Sequence, residues 1–530
     1  MNRGLLIGLL AGLAIPLNAA VYYVRPDGGS AVQCNGTSNL PYPGTGSNAV
    51  CAWDHPFRAL PPGGEPRISG GDTLFVASGS YMMGFGAPES DRCEAGGAWN
   101  CHMPPIPGGP SPANPTRITG DCSRRPELWG TERAELVVNL TGSSNVELAC
   151  FEITDHSTCV EFHSGAISCQ RDVAPFGPWA ARGIYAADSA NVTLRELDIH
   201  GLASIGIHAG RLRDWTVTDV RIAANGSAGW DGDIDGDDSD EGTMRFLRWT
   251  VEWNGCGETY PGRQPAGCWA QSAGGYGDGV GTGETRGRWI VEESSFLYNT
   301  SDGLDLLYVR PGGSVEIRRT IARGNAGNQI KTSGPALIES SLIVGNCGWF
   351  DTNPVSHQVD NCRANGNAVS LTFFRGDRVS IVNTTIASEG DCTIIAGCAE
   401  GAACDGSERL TLRNNILIGG QEFLDPGDRS CDLFTEGIGG IDQDYTIAFG
   451  TKINHCGAAH DQCNVDPLVV RAEIDGFDGR LRKGSPAIGA AESASATATD
   501  VDGRPRDSRP DIGAHEYVEP GRRTRAVRRR

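Results

Sequence analysis

Aromatic residues are scarce in this chain, at 7% Phe, Trp and Tyr. It also lacks long stretches with the 3.6-residue apolar recurrence of amphipathic helices, which argues against a helical bundle. No CxxC pair with metal-ligand spacing occurs among its 18 cysteines, so zinc is not expected. Positive charge is in deficit, with 45 Lys and Arg against 65 Asp and Glu and a formal net charge of -20. That balance excludes nucleic acid as the expected partner. An anionic polysaccharide stays open, because a bound cation can bridge two anions.

Glycine is abundant, at 73 residues, and short β-rich runs ending in Asn, Gly or Asp dominate. From about Asn191 a unit recurs, as in NVTLRELDIHG, DWTVTDVRIAANG, RWIVEESSFLYNT and SVEIRRTIARGN. Where no insertion intervenes the period is about 20–26 residues, with strands and no helices between them, the signature of a β-solenoid. A chain of 530 residues can then be one elongated body, because each repeat buries its core against its neighbours. Asn225, Asn254, Asn299, Asn325 and Asn346 are expected to stack as a ladder in a tight turn with left-handed backbone.

The first 20 residues, with Arg3, an apolar run, and Ala19 and Ala20, read as a secretory signal. An uncleaved anchor is the alternative; the run is too short for a membrane span. The cysteines then imply an oxidising compartment. Proximity suggests the pairs Cys34–Cys51, Cys93–Cys101, Cys159–Cys169, Cys256–Cys268, Cys347–Cys362 and Cys456–Cys463. Residues 518–530, rich in arginine, read as a solvated basic tail or a surface-binding one.

Two neighbouring stretches carry chemistry, NTSDGLDLLYV from Asn299 and NAGNQIKTSG from Asn325. Aligning turns on their DG or GN pairs gives one column of Asp278, Asp302, Asn328 and Asn367. A second holds Gly281, Asp305, Lys331 and Ser370. On adjacent coils Lys331 would lie one strand spacing, about 4.8 Å, from Asp305. Asp278, Asp302 and Asp305 repel one another unless a cation joins them, and oxygen donors without His or Cys suit Ca²⁺. Otherwise they form an exposed acidic strip. Lys331 beside such a site is a candidate base for removing the C5 proton of a uronate, or else the ion-pair partner of Asp305.

Arg310 and Arg375 lie five residues beyond Asp305 and Ser370, where guanidinium groups can fork onto uronate carboxylates; idle surface arginines are the alternative. WDGDIDGDDSDEG, from Trp230, begins like an EF-hand loop at Asp231, Asp233 and Asp235 but has Gly242 at position twelve. It reads as a structural Ca²⁺ loop or a solvated turn. His200 and His208 read as structural or surface residues.

The stretches VYYVRPDGGS, from Val21, and GGDTLFVASGSY, from Gly70, resemble the opening of secreted right-handed parallel β-helix proteins. GSPAIGA and DVDGRPRDSRPDIGAHEY, from Gly484 and Asp500, resemble their closing segment. The Asp and Lys arrangement is similar to that of the family 9 polysaccharide lyases, calcium-dependent pectate lyases with an Asp on one coil, a DDGxD-type cluster on the next and a lysine base in a GNGFK-like turn. Asp278, Asp302, Asp305 and Lys331 match those positions, and Ser301 stands at the first Asp of the cluster.

The resemblance implies an all-β fold, a right-handed parallel β-helix over residues 21–517, with a cap region at 21–130 and a closing segment at 460–517. It further implies a secreted, monomeric lyase with bound Ca²⁺ that cleaves an acidic polysaccharide, most simply pectate, by β-elimination. A polygalacturonase-like hydrolase is the alternative within enzymes, although the chain lacks the Asp-Asp pair and Gly-His-Gly expected of one. A non-enzymatic surface or carbohydrate-binding β-helix is the alternative outside them.

Overall fold

The computed structural model describes residues 19–93, 100–131, 134–156, 180–234, 240–258, 260, 265–269, 277–399, 404–452 and 455–519. The signal-like segment and most of the basic tail lie outside the described residues, as do Cys159 and Cys169. Three long sheets carry the fold, two of 13 strands and one of 10. Through ten successive coils each turn gives one strand to each sheet, and every pairing within these three sheets is parallel. One coil contributes Arg288–Glu292, Ser295–Leu297 and Leu304–Leu306, and the next contributes Ser314–Arg318, Ile321–Arg323 and Ile330–Ser333. The chain is therefore a parallel β-helix, wound in the right-handed sense that parallel β connections follow. No α-helix occurs among the described residues, and no helix there is long and apolar enough to cross a membrane.

Local sequence explains the coil. Strand Ser314–Arg318 alternates half-buried and buried positions, with Val315 and Ile317 turned inward. Between the first and second strands of a coil one residue takes left-handed backbone: Asp219, Arg248, Glu293 and Arg319, at φ 55°, 50°, 52° and 48°. A second left-handed residue follows the next strand, at Ala224, Trp253, Tyr298 and Gly324. Each stands immediately before a ladder asparagine. The asparagines themselves thus do not supply the left-handed backbone expected of them; they stack beside it.

That ladder runs from Asn225 Nδ2 to Asn254 Oδ1 (2.9 Å), from Asn254 to Asn299 (2.9 Å) and from Asn299 to Asn325 (2.8 Å). Asn346 does not continue it. Asn325 Nδ2 instead donates to Gln329 Oε1 at 2.8 Å, and the chain after Asn346 departs into the loop closed by Cys347–Cys362. All four ladder residues are fully buried, so each stacked amide satisfies a donor and an acceptor that would otherwise be lost to water.

The few aromatics are spent inside. Trp215, Trp230, Trp249 and Trp289 are fully buried, and Phe246 stacks on Trp289 with ring centroids 5.2 Å apart. Such side chains bury about 150–250 Å² each, which suits a narrow core. Eight disulfides join described cysteines. Five are the expected local pairs; Cys122–Cys150, Cys392–Cys431 and Cys398–Cys404 join them. The closing segment lies along the outside of the second sheet, where Phe477, Ile512 and Ala514 pack with Leu342, Ile416 and Ile418. Asn383 Nδ2 fastens it through the Asp511 carbonyl at 3.0 Å.

Candidate active site

Strand register on the third sheet aligns Asp231 with Gly281, Gly281 with Asp305, Asp305 with Lys331 and Lys331 with Ser370. The column read from the turn alignment is thus the column the fold builds, extended by Asp231. Its members are half-buried while their strand neighbours point into the core. The other column lies at the turn leading into the third sheet. There Asp278 Oδ1 accepts from Asp302 N at 2.8 Å, and Asp302 Oδ1 accepts from Asn328 N at 2.6 Å. Each acidic side chain thereby holds the backbone of the following coil.

A cleft of about 250 Å³ gathers Asp231, Asp233, Asp278, Asp302, Asp305 and Lys331, with Tyr308 and Arg363 on its walls. Lys331, one of three lysines in the chain, places Nζ 2.7 Å from Asp305 Oδ2 and 3.1 Å from Asp302 Oδ2. Burial acts to lower the lysine's pKa, but Asp305 and Asp302 outweigh it and hold the group well above the usual lysine range. Burial, reinforced by Asp302 and Asp305, pushes the Asp278 carboxyl up to about 8. Burial raises Asp305 to about 6, against the pull of Lys331. Asp231 is also raised, chiefly by burial. The cluster carries more negative charge than one ammonium relieves.

The donors are hard oxygens, which fits Ca²⁺. Asn328 Oδ1, buried beside Asp302 with no hydrogen-bond partner, adds a neutral oxygen. Lys331 occupies the space between Asp302 and Asp305, and the three carboxylates do not all approach within 4.8 Å of one another. Among the described residues the one trio that does is Cys122, Cys150 and Glu196, whose sulfurs are already joined to each other.

Of the two arginines singled out in the sequence, Arg310 pairs with Glu284 at 2.7 Å and lies over the Tyr308 ring. Arg375 is exposed and pairs with Asp405 at 2.6 Å. Neither lines the cleft. Arg363 does, donating to Ser301 Oγ at 3.1 Å. It comes from the loop that Cys347–Cys362 pins, 62 residues along the chain from Ser301, and the disulfide was the one clue to it in the sequence. Asp231 and Asp233 open the EF-hand-like stretch; they face the cleft, while residues 235–239 lie outside the described residues. His208 Nε2 meets the Asp233 carbonyl at 2.9 Å.

His200 is structural. It is buried between Glu152, 3.1 Å away, and Glu258. Burial disfavours its charge, but the two carboxylates raise it to about 9. A larger trough, of about 730 Å³, lies near the chain's end between Val470 and Glu519; its Arg480 and Arg504 are already paired with Asp478 and Asp502.

No protein-family model matches the chain, and no curated protein matches it. Among solved structures it is similar to pectate lyase Pel9A, at 14% identity and a TM-score of 0.45 over 95% of this chain and 98% of that one. It is similar also to an alginate lyase from Paenibacillus sp. str. FPU-7, at 12% identity and a TM-score of 0.35 over 71% and 94%. The surface adhesin PfbA of Streptococcus pneumoniae follows at 8% and 0.30 over 74% and 86%. At these identities and scores the likenesses carry no functional argument, and function has to be read from the site.

Proposed function

We propose that this protein is a secreted polysaccharide lyase that cleaves a uronate-containing polymer, most simply pectate, with Lys331 as the base. One observation carries the reading: the Lys331 ammonium sits in a cleft on the outer face of the third sheet, between the buried Asp302 and the half-buried Asp305. Asp278, Asp302 and Asp305 would hold Ca²⁺. When bound, Ca²⁺ supplies positive charge that steadies the substrate carboxylate as negative charge builds at C5.

Lys331 paired with both aspartates is an acid, and it becomes a base when their charge is engaged elsewhere. Its ammonium then gives one proton to solvent, the freed Nζ takes the C5 proton, the C5–H electrons form the C4–C5 double bond, and the C4–O bond breaks with its electrons on the departing oxygen, which takes a proton from solvent. Arg363 on the cleft wall offers a planar fork for a uronate carboxylate.

The test is incubation with polygalacturonate and a panel of other polyuronates, with and without EDTA. Ultraviolet absorbance of the new double bond should appear, fall with chelator, and drop roughly 10²–10⁴-fold in Lys331→Ala. New reducing ends without absorbance would indicate hydrolysis. That reading draws on Asp278, which keeps its proton near neutral pH as a general acid must. No turnover on the panel, with Lys331→Ala indistinguishable from wild type, sinks the enzyme reading and leaves a binding protein.

A further inference from the structure

The column that contains Asp305 and Lys331 does not stop at the cleft. Toward the N-terminal coils it passes through Asp231 and His208 to Tyr185. Toward the C-terminal coils it passes from Lys331 to Ser370, Ile395 and Phe434. All nine positions lie in paired register on one outer face, one per strand. The two directions differ in charge. Asp231 and Asp233 crowd the first side, whereas Ser370, Ile395 and Phe434 carry none; on the last of these strands acidic side chains stand two residues to either side of Phe434, at Asp432, fully buried and taken up by the backbone N–H groups of His455 and Cys456, and at the exposed Glu436.

Phe434 is 45% exposed, and among the described residues no other phenylalanine or tryptophan is so open to solvent. Tyr260 and Tyr308 are equally exposed but carry a hydroxyl, and Tyr308 already stands on the cleft wall; Phe434 is in strand register with Lys331 three strands further on. An anionic polymer seated over Lys331 is repelled along the acidic side and meets no such barrier on the other. Three strand spacings separate Lys331 from Phe434, about 14 Å.

We propose that Ile395 and Phe434 form an apolar subsite that takes the flat C–H face of a sugar ring in the same polymer chain whose reacting unit lies over Lys331. This rests on the reading of the cleft as a polyuronate site. A ligand spanning both points gains stacking contact that a disaccharide confined to the cleft cannot reach. The protein is then selective for long chains, with the bound polymer running along the helix axis toward the last coils.

The experiment compares initial rates, at subsaturating substrate, on long polygalacturonate and on a short oligouronate. In Phe434→Ala the long-to-short ratio should fall at least about fivefold. Val32→Ala, which removes an even more solvent-facing apolar side chain near the first coil (74% exposed), should keep the wild-type ratio. A wild-type ratio in Phe434→Ala, in an enzyme that turns over both substrates, overturns the subsite and leaves the lyase reading standing. If wild type turns over neither, the lyase reading fails and Phe434→Trp decides: fluorescence that changes with long polygalacturonate but not with the short oligomer upholds the subsite. Unchanged fluorescence overturns it.

Discussion

At the scale of single residues the cleft is a charge problem that is only half solved. One ammonium faces Asp302 and Asp305, while Asp278 is left to neutralise itself by holding a proton up to about 8. A carboxyl whose folded pKa lies above its unfolded value of 3.8 adds stability that is full below 3.8 and is lost as pH rises through about 8. Asp278→Asn keeps an oxygen for the Asp302 N–H and removes the titration. In metal-free buffer it should leave the unfolding midpoint unchanged near pH 4 and raise it by about 2 °C or more at pH 9. Added Ca²⁺ at pH 9 should raise the midpoint of wild type and do little for the variant. Scanning calorimetry at the two pH values checks this, and a variant less stable than wild type at both refutes it. His200, held charged between Glu152 and Glu258, loses its contribution over an overlapping range as pH rises toward about 9, so wild type and variant must be compared at equal pH. The Asp305–Lys331 contact was legible in the sequence because both neighbouring coils repeat after 26 residues, as Asn299 and Asn325 also do. Arg363 was not legible, since a disulfide loop rather than the repeat delivers it.

At the scale of elements, stacked amides and left-handed corners set the coil. Asn299 both gives to Asn325 and receives from Asn254, while its backbone N–H is taken by Asn325 Oδ1 at 3.0 Å. Removing it strands groups on two neighbours in a fully buried turn. Asn299→Ala should therefore cost roughly 2–4 kcal/mol, more than Asn225→Ala at the ladder's end, as measured by urea unfolding. Equal small losses at both positions would mean that the ladder contributes nothing beyond packing. Strands and their register could be read wherever apolar alternation and coil length stayed constant. The corners could not, because Glu293, Arg248 and Arg319 are ordinary charged residues that give no turn signal, yet they adopt positive φ. The end of the ladder was hidden for a related reason: Gln329 lies inside the Lys331 turn, not at the Asn spacing, and it takes the place expected of Asn346.

At the scale of the whole molecule, the proposed function sets an acidic body against an acidic ligand. A net charge of -20 repels a polyuronate at a distance, and the cleft's lysine, Lys331, is already paired with Asp302 and Asp305. Long-range repulsion acts through solvent and is screened by salt, whereas buried ion pairs are screened much less. Raising ionic strength from about 10 mM to about 150 mM shortens the screening length from roughly 30 Å to roughly 8 Å. The apparent KM for polygalacturonate, at fixed saturating Ca²⁺, should therefore fall as NaCl is added over that range. An uncharged or methyl-esterified polymer, if it binds, should show little change. This sign is opposite to that of proteins that capture polyanions through surface arginines and lysines, whose affinity weakens with salt. A KM that rises with salt would assign capture to basic groups, with the arginine-rich end of the chain, Arg522 to Arg530, the first segment to delete. A KM that falls in the full-length protein and in that deletion alike places recognition on the sheet face, where short-range contacts beside Lys331 act against the field of the molecule that carries them.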